Sequence, residues 1–251
     1  MNFLLVNDDG INSPGLHALA KAASEKGRVF VCAPDRQQSA KSHAITLGKE
    51  VAVKEERVPF ADKAWSAGGT PADCTRLGFQ LCREEGVEID MVLSGINMGA
   101  NLGKDTIYSG TVGAAMEAAM TGIHAMAVSV DSHEASHFGG ACAIAMSAVD
   151  RVMNELPAAI VLSINTPDIP ERELKGVRVT GLGPRFYEDR FVKTADGYYK
   201  VEGEAIDPSA YDPLTVDVGA VNDGYAAVTP LSFDLTAAAG FDMIKDWSFR
   251  I

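Results

Sequence analysis

The chain is short of positive charge: 22 Lys+Arg stand against 34 Asp+Glu in 251 residues, a formal net charge of −12. That balance repels polyanions at long range and leaves no basic footprint for DNA or RNA. A small phosphate ester remains admissible if a local cation reverses the field. Paired cysteines are missing too. Cys32, Cys74, Cys82 and Cys142 are scattered without a CxxC spacing in apolar settings, as reduced core thiols of a cytosolic protein are. No uncharged apolar run is long enough for a bilayer, because the small-residue stretch 112–130 contains Glu117 and His124. The first apolar run, NFLLV, has no basic residue before it and is broken at once by Asn7, Asp8 and Asp9. No signal peptide is therefore expected, and the reading is a cytoplasmic protein. Internal repeats and low-complexity linkers are also absent. A GxGxxG after the first strand is missing, which counts against dinucleotide binding. GANLGKD is one residue short of a Walker A loop and has Asp105 where Ser or Thr is required.

What is present is a globular composition, 47% hydrophobic and 22% charged, in which short apolar runs alternate with helical patterns. The pattern predicts strands at 2–6, 28–34, 90–95, 125–130 and 159–165. It predicts helices at 14–27, 71–86, from about 112, and at 140–156. Strands apolar on both faces and separated by helices imply an α/β fold with a mostly parallel sheet covered on both sides. After Gly183 the pattern changes: 190–203 reads as a hairpin turning at Asp196-Gly197, and 225–231 as one more strand. The expected organisation is one domain, with a core over 1–183 and an appendage of hairpin, last strand and tail over 184–251.

Ligands of such sheets bind beyond the carboxyl ends of the strands. Three loops there are unusual: NDDG (7–10), DRQQSAKSHAIT (35–46) and SGINMGANLGKDTIYSGTVGAA (94–115). The third is glycine-rich and ends in Ser109-Gly110-Thr111 before an Ala-rich helix, where free backbone N–H groups and two hydroxyls suit phosphate. On its own it reads equally as a turn shaped by backbone geometry. Asp8 and Asp9 likewise serve equally, taken alone, as a helix cap and turn. The phosphate-type loop expected to face them favours a cation. With a hydroxyl such as Ser39 and an amide oxygen such as Asn97 they would offer only hard oxygen donors, which suit Mg²⁺ or Mn²⁺ rather than zinc or copper.

The segments NDDGINSPGL, APDRQQSAKS, GTPADC, VLSGINMGANLG, IYSGTVGAAMEAA and VTPLSFDLT together resemble the successive signatures of the SurE family, the survival proteins E, metal-dependent nucleoside monophosphate phosphatases. The resemblance is dense over residues 1–130 and returns at 221–236. It implies a Rossmann-like fold and one divalent metal ion, Mg²⁺ or Mn²⁺, held by Asp8, Asp9, Ser39 and Asn97. It further implies phosphate contacts from Ser109, Gly110 and Thr111, cleavage by some members of 3′-nucleotides and short polyphosphate, and oligomerisation through the C-terminal hairpin and tail. Two positions depart from the pattern. Ala40 follows Ser39 where the family usually has glycine, and Lys104 stands where an acidic residue is common.

The expected reaction is hydrolysis of a nucleoside 5′-monophosphate by metal-activated water, with Asp8 or Asp9 taking the proton. An aspartyl-phosphate route, as in DxD phosphatases, is disfavoured because adjacent aspartates cannot divide the two roles in that manner. A non-catalytic nucleotide sensor is the alternative from another class. HEASH (133–137) satisfies the HExxH zinc pattern, but Ala143 falls where a third histidine ligand would stand, so a solvated loop is the expectation. His17 and His124 read as helix or loop residues, and His43, which carries no motif by itself, is placed to approach the substrate. The apolar end, with Phe241, Met243, Ile244, Trp247, Phe249 and Ile251, predicts a homodimer or homotetramer assembled through the C-terminal segment.

Overall fold

The computed structural model describes residues 1–184, 190–203, 212 and 214–248. Phe249 and Ile251 of the predicted tail lie outside the described residues. The chain runs β1 (Asn2–Val6), α1 (Pro14–Ser24), β2 (Arg28–Pro34), β3 (Val53–Glu56), β4 (Lys63–Ala67), α2 (Pro71–Glu84), β5 (Met91–Met98), α3 (Gly110–Met120), β6 (His124–Asp131), α4 (Gly139–Glu155), β7 (Ile160–Pro167), β8 (Val177–Val179), β9 (Arg190–Lys193), β10 (Tyr199–Glu202), α5 (Asp217–Asn222), β11 (Ala226–Ser232) and α6 (Ala238–Ile244). Short 3₁₀ turns precede α3 and β8.

Nine strands form one sheet in the order β3-β4-β2-β1-β5-β6-β7-β11-β8. Every neighbouring pair is parallel except β3–β4 and β7–β11. Because strand side chains alternate, Phe3 and Leu5 face one layer with Leu16, Leu19 and Val149, while Leu4 and Val6 face the other with Cys32, Val112 and Ala115. Helices α1 and α4 cover the first face, and α2 and α3 the second. Phe3, Leu4, Leu5 and Val6 of β1 are fully buried, each large side chain contributing about 1.5–3 kcal/mol of transfer free energy. The inner side of α3 is almost wholly alanine (Ala114, Ala115, Ala118, Ala119), and it packs against both the sheet and α2; the Thr75 hydroxyl donates to the Ala114 carbonyl at 3.0 Å.

Three of the βα connections start their helices with a side-chain cap. Ser13, Thr70 and Ser109 stand at the N-caps of α1, α2 and α3, each side-chain oxygen accepting a backbone N–H one turn on. Thr70 and Asp73 complete a reciprocal capping box.

The mostly parallel sheet and the β9–β10 hairpin agree with the sequence reading. Two features differ. β5 does not stop at Gly95: a bulge between Ser94 and Asn97 bends the strand without ending it, and Asn97 and Met98 still pair with Ser129 and Val130. Asn97 therefore sits on a strand rather than in a loop. β3, β4, β8 and α5 were not expected, and β3 and β8 are short strands at the two edges. Phe241, Met243 and Ile244 of α6 are exposed, as is Trp247 after it.

Candidate active site

The strand order reverses direction around β1: β2 and β4 follow on one side, β5 to β7 on the other. The crevice at such a switch point is where an open α/β sheet binds ligands. The loop after β1, the end of β5 and the start of α3 meet there. Asn7 ends the strand and folds the loop, donating to the Gly10 carbonyl and the Ser13 hydroxyl, both at 2.9 Å. The next two residues, Asp8 and Asp9, are thereby presented at the strand's carboxyl end.

Asp8 is buried, and its Oδ1 accepts from the Thr111 hydroxyl at 2.5 Å. Burial pushes its carboxyl up to about 6, the Thr111 hydrogen bond opposes that rise, and the neighbouring Asp9 charge adds to it. Asp9 is half-buried and also raised, chiefly by burial, although the Met98 N–H donates to its Oδ2 at 2.9 Å. Gln37 donates a long bond, 3.4 Å, to the other oxygen. Among the described residues neither carboxylate pairs with Lys or Arg. Two adjacent desolvated carboxylates without an ion-pair partner carry a charge that a cation would offset.

Gly110 explains why α3 can start here. A Cβ at this position would lie 2.9 Å from Asp8 Cβ and 3.0 Å from its Oδ2, so only glycine lets the helix start close on the carboxylate. Gly110 and Thr111 occupy the first turn, where backbone N–H groups have no intrahelical acceptor. Ser109 uses its oxygen to cap Val112 N at 3.0 Å and keeps its own proton to donate. The Thr111 hydroxyl, which the sequence offered to phosphate, is given to Asp8 instead.

Asn97 donates from Nδ2 to the Gly99 carbonyl at 2.6 Å, which leaves Oδ1 as its available oxygen. Ser39 lies on an exposed loop tied to the site through its neighbour, since Gln38 N donates to the Asp8 carbonyl at 2.7 Å. The residue after it, Ala40, has φ 57°, the left-handed region where glycine is at ease. That is why the family's usual glycine belongs there. The fold thus brings Asp8, Asp9, Asn97, Ser39 and Ser109 to Thr111 to one edge of the sheet. The donor set is wholly oxygen, and among the described residues no three His, Cys, Asp or Glu side chains converge. Such a set fits a hard divalent ion that retains several waters.

Two histidines, His133 and His43, lie near the site. His133 packs against Gly99, whose Cβ would lie 2.9 Å from its ring, and its charge lowers the Asp9 carboxyl. The rule that loops beyond strand ends carry chemistry would have found it, since it follows β6. HEASH is a loop, as expected; His137 is turned to Asp168, 3.1 Å away, and the segment has no helical i, i+4 face. His43 pairs with Glu117 at 2.7 Å. The cysteines are unpaired thiols; burial pushes Cys82 up to about 12 and Cys142 to about 11.

The family model described as survival protein SurE matches residues 3–189. A 5′-nucleotidase SurE of Rubrobacter xylanophilus is 38% identical over 98% of this chain and 97% of its own length. A 5′-nucleotidase SurE of Pelotomaculum thermopropionicum is 41% identical over 94% of this chain and 91% of its own. Among solved structures, the SurE protein from Aquifex aeolicus superposes with a TM-score of 0.84 at 38% identity, covering 98% of both chains. This chain belongs to the SurE family.

Proposed function

We propose that the protein hydrolyses the phosphate monoester of nucleoside 5′-monophosphates, with one divalent cation, Mg²⁺ or Mn²⁺, held per chain by Asp8, Asp9, Ser39 and Asn97. The observation that carries this reading is the pair of desolvated, cation-less carboxylates closed upon by the bare first turn of α3. The names of its relatives support the same substrate class. When bound, the ion supplies Lewis-acid polarisation of the phosphoryl oxygens and eases deprotonation of water in its shell.

The chain's own groups do the rest. The N–H groups of Gly110 and Thr111 and the Ser109 hydroxyl receive the phosphoryl oxygens at the start of α3. Thr111 fixes the rotamer of Asp8 through its hydroxyl. Asp9, held by Met98 N, takes the proton of the attacking water as the bond from phosphorus to the 5′-oxygen breaks; a proton from solvent goes to that oxygen, and the products are a nucleoside and inorganic phosphate. The chain works as one unit over residues 1–251, its appendage from 184 onward making a cytoplasmic homodimer or homotetramer. No described helix is long and apolar enough to cross a membrane.

Release of inorganic phosphate from AMP and GMP, with Mg²⁺, Mn²⁺ or EDTA, tests the reading. Metal-dependent release that Asp9→Asn abolishes supports it. Nucleotide binding without phosphate release would make the protein a sensor.

A further inference from the structure

The loop of residues 35–46 lies against the site as a strap, and within it a single backbone bond, Ala44 N to the Lys41 carbonyl at 3.2 Å, supports its turn. Ala40 and Ser42 both sit in the left-handed region, at φ 57° and 55°, with side chains that disfavour it. Besides Asp35 N, which donates to the Ala67 carbonyl at 2.9 Å, and Gln37, which reaches Asp9 Oδ1 at 3.4 Å, the strap is fastened at four places. Gln38 N donates to the Asp8 carbonyl. Ser42 donates twice to the segment before α3, from Oγ to the Ile107 carbonyl at 2.6 Å and from N to the Tyr108 carbonyl at 2.9 Å. Ala44 and Thr46 are tied to the start of α2 through Thr70 and Asp73.

The fourth fastening reaches from the middle of α3. His43 donates from Nε2 to Glu117 Oε2 at 2.7 Å, and Arg76 of α2 stands 3.7 Å from Glu117 Oε1. Glu117 is the buried member, its side chain 13% exposed against 32% for His43. The fit beneath it is tight: a Cβ at Gly113 would fall 2.6 Å from the Ser42 carbonyl oxygen and 3.0 Å from His43 Cα. The strap backbone therefore rests directly on the helix that presents Ser109 to Thr111, one turn before Glu117. Neither His43 nor Glu117 belongs to the donor set, and the two residues are 74 positions apart in the chain.

We infer that Glu117 is a positioning residue of the metal site: through His43 it fixes the strap on α3 and so sets Ser39 against Asp8 and Asp9. The inference rests on the metal reading above. Loss of the fastening frees the left-handed segment to relax, and Ser39, four residues before His43, moves out of reach. Supporting partners of ligands usually change metal affinity by about 10–100-fold.

The test is Mn²⁺ binding to the full-length, metal-free protein, followed by electron paramagnetic resonance of the free ion and by calorimetry. His43→Ala and Glu117→Ala should each raise the Kd for Mn²⁺ at least about tenfold, and Glu117→Gln, which keeps an oxygen for His43, should restore most of the affinity. The His43→Ala/Glu117→Ala double variant should be no weaker than either single one, because both cut the same link. Ser39→Ala should match them, and adding His43→Ala to it should cost nothing more. Wild-type Kd in His43→Ala, whose half-exposed ring can be removed without opening the core, overturns the inference if Asp9→Asn has lost binding. So do losses that add in the double variants. Unchanged Mn²⁺ binding in Asp9→Asn overturns the metal reading itself and the inference with it.

Discussion

The hydroxyl of Thr111 donates to Asp8 Oδ1 at 2.5 Å, tying the first turn of α3 to the loop after β1 across 103 positions of sequence. Both groups are buried. A carboxylate in that setting keeps one orientation as long as the donor stays. Thr111→Val preserves the shape and deletes the donor, leaving a buried acceptor short of a partner at a cost of about 1–3 kcal/mol. Calorimetry of the metal-free variant should show a melting temperature lowered by several degrees, and kcat/KM should fall by about 10–100-fold. Wild-type values of both would mean that the hydroxyl does not orient Asp8.

Asp217 links the appendage to the glycine-rich segment. It is buried in α5, and its carboxylate accepts from Gly103 N at 2.8 Å, Gly183 N at 2.7 Å and Val218 N at 2.8 Å. Asp217→Ala strands several backbone donors at once, each worth about 1–3 kcal/mol when buried and unpaired. Urea unfolding should show the loss as a lower midpoint, with Asp217→Asn between the variant and the wild type. A midpoint within error of the wild type would mean that water replaces these bonds.

Much of this was legible in the residues themselves, and what was hidden has a common cause. The core strands announce themselves because NFLLV and RVFVCAP are apolar on both faces, and α1 to α3 because Ser13, Thr70 and Ser109 begin them with cap chemistry. Asp8 and Asp9 stand out as charges where a buried strand stops. β3 did not, since VKEE at a sheet edge has no apolar face to show. Asn97 looks like a loop residue in the sequence because the bulge at Ser94 interrupts the alternation while the pairing continues. The His43–Glu117 contact and the commitment of Thr111 to Asp8 are pairings between distant positions, which no local pattern encodes.

Asp73 gives a pH dependence of defined sign. Burial alone would push its carboxyl up, but the hydroxyl and N–H of Thr46 and the N–H of Thr70 outweigh that and leave it below its ordinary 3.8. A carboxyl depressed in the folded state binds fewer protons there than in the unfolded chain. Its contribution is therefore present above about pH 4 and is lost as the pH falls through the folded value. Asp73→Asn should unfold at lower urea than the wild type at pH 7, and the gap should close below about pH 4. A gap of the same size at pH 3 would show that shape, not charge, fastens Thr46 to α2.

The C-terminal tail bears on assembly. Leu235 is 93% exposed and Met243 73%, and Phe241, Ile244 and Trp247 are exposed too, so much of the apolar surface of this stretch faces outward. Apolar groups in that density at a surface mark a contact with another protein, and exchange of a terminal element between copies is a low-cost route to closed symmetry. The full-length chain should therefore scatter light as two or four copies at micromolar concentration, and removal of residues 236–251 should give monomers or unstable protein. Trp247→Ser with Phe241→Ser offers a milder version that keeps the backbone. Because Asp8, Asp9, Ser39, Asn97 and Thr111 all lie in the first half of the sequence, a monomer that stays folded should still bind Mn²⁺. Assembly and chemistry are then separable, and a full-length protein that runs as a monomer would leave the exposed tail to some other partner.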